Sequence, residues 1–124
     1  MTALPAIRLA MLGGVLLFGA VCWALQRSPD WAPASNVDPE SLRLVARLLW
    51  AGAIAGVFIL MMRARGVTSA ARASTLGILS WALGEMVALF GAVVYFLTGV
   101  ATWYIGGVVF LALTFLLLPG RLPR

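Results

Sequence analysis

The sequence predicts an all-α membrane protein, one domain over residues 1–124 with four transmembrane helices and both termini cytoplasmic. Three observations carry this reading. Hydrophobic residues make up 63% of the chain and charged ones only 10%, with a mean hydropathy of +1.04, whereas about a quarter of a soluble domain is charged. Four apolar stretches, 6–26, 43–63, 75–97 and 99–118, reach the roughly 20 residues that a helix needs to cross a hydrocarbon core about 30 Å thick. The nine basic residues, all arginine, sit mainly at the ends of those stretches.

The first stretch contains Arg8, read as an anchor whose long side chain snorkels to the interface. An arginine followed by an apolar run also opens a secretory signal peptide, a competing reading whose cleavage signals are poor. Ala32-Pro33-Ala34 lies too far beyond the run, and Cys22 is preceded by Val21 where a lipoprotein-type site wants a small residue. Residues 27–41 form the one sizeable extramembrane loop, because three prolines and several small polar residues oppose helix there. Its end is a helix start signal. Asp38 can cap, Pro39 suits the first helical position and Glu40 complements the positive helix end, so the second helix begins outside the hydrocarbon. The third and fourth stretches are joined by a tight turn near Thr98 to Thr102.

Arginine placement orients the bundle. Arg8, Arg63, Arg65, Arg72, Arg121 and Arg124 fall on one side, against Arg27, Arg43 and Arg47 on the other, which puts both termini and the 63–74 loop in the cytoplasm and implies a bacterial inner (cytoplasmic) membrane. The pI near 11.2 reflects these arginines rather than a nucleic-acid surface, since no basic patch interleaved with exposed aromatics is present. The partners implied are the lipid bilayer and either further copies of the chain or a larger membrane complex.

Glycines mark the packing faces. Gly77, Gly84 and Gly91 recur at heptad spacing along the third helix and make a smooth stripe for a close neighbour. Gly52 and Gly56 form a GxxxG pair on the second helix, and Gly99 with Gly106 offers another small-residue surface. An internal echo, Leu17-Phe18-Gly19-Ala20-Val21 against Leu89-Phe90-Gly91-Ala92-Val93, suggests two pseudo-repeated hairpins and aligns Gly13 with Glu85.

Glu85 is the residue that asks for a function. It stands about ten residues, or about 15 Å, inside the third stretch, near the bilayer midplane, where desolvation disfavours the charged carboxylate. Two readings follow. Either Glu85 binds and releases a proton or cation, or it is structural, held in a buried ion pair with Arg47 in a non-catalytic accessory subunit. Catalysis is not expected: there is no histidine, no nucleophile–base pair, no phosphate loop and no cofactor motif, and Cys22 alone makes no metal set. The tryptophans and tyrosines read as interface belts and packing before a cage for a cationic ligand.

The run Leu83-Gly84-Glu85-Met86-Val87-Ala88-Leu89-Phe90-Gly91-Ala92-Val93-Val94 resembles the carboxylate helix of the rotary ATPase proteolipids, the ring-forming c subunits. In that family a small residue precedes the essential Glu, and an aromatic followed by Gly comes five and six positions later, as Phe90 and Gly91 do here. The resemblance implies that Glu85 carries the proton or sodium ion and that loop 63–74 is the cytoplasmic turn of a hairpin.

Overall fold

A computed structural model of the chain describes residues 3–34, 36 and 38–118. Over these it is all-helical, with α1 (Ala3–Gln26), α2 (Pro39–Ala64), α3 (Ala70–Thr98) and α4 (Thr102–Leu117). Arg121 and Arg124, used above to orient the C-terminus, lie outside the described residues.

Three of the helices are long and apolar enough to cross a membrane, and the fourth is short. With 16 residues α4 is about 24 Å long, less than the predicted stretch 99–118. Both of its ends have a local cause. Gly99 closes α3 in the left-handed conformation, φ +78°, its N–H donating to the Tyr95 carbonyl at 2.8 Å, so residues 99–101 belong to the turn. At the other end Leu118 leaves helical geometry at φ −129° and ψ 81°, as a residue before a proline does.

The α2 start follows the sequence signal. The Asp38 carboxylate accepts from the Glu40 N–H at 3.1 Å and from the Ser41 hydroxyl at 2.7 Å, with Pro39 at the first helical position. Those bonds, the Ser41 hydroxyl first, hold the Asp38 carboxyl below the ordinary range of an aspartate. The loop before it is tied down rather than free. The Gln26 side-chain amide donates to the Tyr95 carbonyl, the Trp31 indole N–H to that of Phe96 at 3.1 Å, and the Ala34 N–H to that of Leu97 at 2.8 Å. These are carbonyls of the last turn of α3, where the helix ladder runs out; that of Tyr95 also accepts the Gly99 N–H of the cap.

α3 is the central element and touches each of the other three helices, whereas α1 and α2 make no contact with one another among the described residues. Its closest neighbour is α4, which runs antiparallel to it on glycines. A Cβ at Gly84 would come within 2.9 Å of Leu111 Cα, one at Gly91 within 2.5 Å of the Trp103 carbonyl, and one at Gly107 within 2.5 Å of Ala88 Cα. Backbone meets backbone at all three points, so the pair is held by the dense dispersion contact that small residues permit. Gly77 is also buried on α3, completing the heptad stripe.

The GxxxG pair on α2 is used differently from the expectation. Gly56 faces the Leu83 side chain, and Gly52 opens onto empty space. α2 is held off by bulk: Leu83 fills the gap at Gly56, and Trp50 wedges against Trp103 and Phe110, ring centres 6.5 and 5.2 Å away. On α4 the close approach falls on Gly107, while Gly106 meets only the Trp50 ring at 3.3 Å. The pseudo-repeat does not extend to packing either, since α3 and α4 form the tightest pair and α1 and α2 form none.

The outer faces are apolar. Leu9, Leu16, Leu17 and Phe18 on α1, and Leu48, Ile54, Phe58 and Ile59 on α2, are all exposed. Such continuous apolar surface is foreign to a monomer in water and suits contact with lipid.

Candidate functional site

Glu85 is the sixteenth residue of the 29-residue α3, so about 20 Å of helix lies on either side of it. Its helical face comprises Trp81 one turn before, Ala88 and Leu89 one turn after, and Ala92 beyond. Glu85 itself is half-buried, and its carboxylate has no hydrogen-bond or ion-pair partner among the described residues.

The two sides of the carboxylate differ in chemistry. One turn toward the start of α3, Trp81 is fully buried and donates its indole N–H to the Leu118 carbonyl at 2.8 Å. Its ring meets Phe115 edge-on at 5.6 Å, and the Arg8 guanidinium lies over it, 4.8 Å from the ring centre and 5.8 Å from that of Phe115. Arg8 therefore does more than snorkel: it inserts along α1 and caps an aromatic pair, a desolvated cation–π contact worth about 2 kcal/mol. One turn the other way, Val15, Ala88 and Leu111 are fully buried with Leu12 and Leu89 against them, forming an apolar plug. A cation-bearing cluster and a dry barrier thus flank the single acid of the span.

Arg47 is elsewhere. Measured from the Gly56–Leu83 contact, Glu85 is two residues further along α3 and Arg47 nine residues back along the antiparallel α2, an offset of about 10 Å along the axis. Arg47 is exposed and borders a surface notch with Asp38, Glu40, Ser41 and Arg43. The ion pair between Glu85 and Arg47 is not made, because the axial offset and the exposed position of Arg47 keep the two apart.

Arg8 over Trp81 is the relationship that sequence reasoning missed. Its signal was an arginine within the first turns of an apolar run, together with a Trp four residues before the only acid of the third stretch. Tyr104 is a second. Its ring fills the space at Gly19 and stacks on Tyr95 at 6.2 Å and 13°, while its backbone lies against Gly91. The two glycines of the echoed pentapeptide therefore share one neighbour. The remaining aromatics pair as packing, Trp50 with Trp103 and Phe110, and Trp23 beneath the Arg27 guanidinium at 4.5 Å.

Among the described residues no three of His, Cys, Asp and Glu come together as a metal-ion set. Comparison of the chain with family models, curated proteins and solved structures yields no match.

Proposed function

We propose that the chain is an integral membrane protein whose Glu85 reversibly binds a proton or a small cation, in the manner of a proteolipid. The supporting observation is the half-buried carboxylate at the middle of the central helix, which has no hydrogen-bond or ion-pair partner among the described residues. A bare carboxylate in hydrocarbon is costly, so an acid in a membrane span is by default a proton or cation site. The apolar plug at Val15, Ala88 and Leu111 bars exchange from the outward side, so protons reach Glu85 from the side of Arg8 and Trp81. Residues 99–118 carry the chain back across the bilayer, with α4 lying along α3 and the flanking turn residues completing the thickness. Both termini are then cytoplasmic, as the arginine distribution requires. Local similarity of residues 83–94 to rotary ATPase proteolipids supports the role of the carboxylate rather than a ring, because here a further helix follows the one bearing the acid.

The test is proton uptake in liposomes with infrared detection. Wild type should show a protonated carbonyl band that disappears as pH rises, absent in Glu85→Gln, and Glu85→Gln should abolish any flux that wild type supports. A band unchanged over the accessible pH range would refute the proposal.

A second reading, an accessory subunit that docks in a larger complex, draws on three glycines that the fold leaves unused. Gly13, Gly14 and Gly52 have nothing within contact distance of a Cβ, which leaves smooth patches on α1 and α2 for another helix. Cysteine crosslinking at position 52 discriminates. Crosslinks to other chains that persist in Glu85→Gln favour docking independent of the carboxylate.

A further inference from the structure

A lateral groove of about 960 Å³ lies between α2 and α3 and reaches to Arg63 and Arg72. Its walls are Ile59 and Leu60 of α2 against Leu79, Leu83 and Met86 of α3. The volume is at the upper end of that of small-molecule sites. The mouth has a different chemistry. Arg63 in the last turn of α2 and Arg72 in the first turn of α3 stand on opposite helices, both exposed, with Ser69 and Thr75 beside them. The Ser69 oxygen accepts the Arg72 N–H at 3.5 Å, which leaves its own O–H to donate outward.

Among the described residues no acid neutralises this mouth. Asp30, Asp38 and Glu40 precede or open α2 at its other end, and Glu85 lies mid-helix. A second copy of the chain would bring the same two arginines with no carboxylate to meet them. An apolar slot open sideways, ending in two guanidiniums and a hydroxyl donor at the level of the headgroups, matches a molecule with a hydrocarbon tail and a phosphate. Two forks of guanidinium N–H donors suit phosphate oxygens, and basic pockets between transmembrane helices at the cytoplasmic surface take anionic lipid headgroups.

We propose that the groove between α2 and α3 binds an anionic glycerophospholipid, its phosphate held by Arg63, Arg72 and Ser69 and one acyl chain lying along Ile59, Leu79, Leu83 and Met86. The proposal rests on the membrane-spanning reading of α2 and α3 and is independent of Glu85. Occupancy by lipid fills the wedge that bulky contacts leave between these helices and couples the protein to the charge of the surrounding leaflet.

The test is lipid retention. The full chain is reconstituted in vesicles of phosphatidylglycerol and phosphatidylcholine, re-extracted in mild detergent, and its bound lipid quantified by native mass spectrometry. Phosphatidylglycerol should be enriched over its share of the vesicle. Arg63→Ala with Arg72→Ala should lower that enrichment on the order of tenfold, and the double Lys variant should retain most of it. Leu83→Trp, which fills the slot while keeping both arginines, should remove bound lipid of either kind. Glycerol 3-phosphate and inorganic phosphate should not displace the lipid, because neither occupies the slot. Equal retention of the two lipids by wild type, unchanged enrichment in the double Ala variant at native helicity, or displacement by free phosphate would each overturn the proposal. So would a lipid-independent Leu83→Cys disulfide dimer, which would assign the groove to a second copy. Alkaline carbonate washing separates the two levels of failure: protein released from vesicles refutes the membrane reading itself, whereas protein that stays embedded without lipid preference refutes only the groove.

Discussion

The hydroxyl of Tyr104 donates to the backbone carbonyl of Val15 at 3.0 Å, joining α4 to α1 across the top of the apolar plug. The bond is feasible because Gly19, one turn further along α1, has no side chain where the tyrosine ring lies. Tyr104→Phe keeps the ring and deletes the bond, so it should cost about 1 kcal/mol, while Gly19→Val should displace the ring and detach α1. Unfolding in mixed micelles reads the first effect, and loss of an engineered α1–α4 crosslink reads the second.

The glycine contacts between α3 and α4 are expected to tolerate least. Gly107→Leu or Gly91→Leu places carbon where the partner backbone already is and should destabilise by about 3 kcal/mol or more. Gly52→Leu, facing empty space, should leave the stability of the isolated chain nearly unchanged. Denaturant midpoints of the three variants, compared in one detergent, check the ranking.

Arg8 and Arg47 are set apart by their contributions to the fold. Arg8→Met deletes the cation held over Trp81 and Phe115 and should lower stability by about 1–2 kcal/mol, which denaturant midpoints in detergent would read. Arg47→Met, at an exposed position, should leave the midpoint nearly unchanged. Equal effects from both would contradict the placement of the two arginines.

Asp38 supplies a pH dependence outside the membrane. Its carboxyl is held low by the Ser41 hydroxyl and the Glu40 N–H, so the folded state favours the carboxylate. The resulting stabilisation of the α2 start is present above the unfolded aspartate value, about 3.9, and is lost as pH falls through the lower folded value. Amide exchange at residues 40–43 should accelerate only in strong acid in wild type. In Asp38→Ala it should already be fast at neutral pH.

Much of the helical architecture was legible because long apolar stretches such as 6–26 and 43–63 satisfy their own backbone most simply as helix, and the Asp38-Pro39-Glu40 signal placed the α2 start correctly. α4 came out shorter because apolarity continues through Gly99–Ala101, where backbone conformation, not hydropathy, ends the helix. The heptad glycines of α3 were visible as a packing stripe, but their partner was not: small residues advertise closeness without naming the helix that exploits it. For the candidate site, the depth of Glu85 follows from counting residues, whereas the positions of Arg8 and Arg47 depend on how helices are paired and offset, which a linear pattern does not encode.

Because α1 and α2 do not touch, the order of synthesis matters. The ribosome delivers these two first, and neither finds a companion until α3 has been made. The strap that carries Trp31 and Ala34 likewise waits for acceptors encoded some 65 residues downstream. Biogenesis of this protein is thus back-loaded: a nascent chain cut short before residue 98 is left with greasy rods adrift and no keystone, a natural target of quality control.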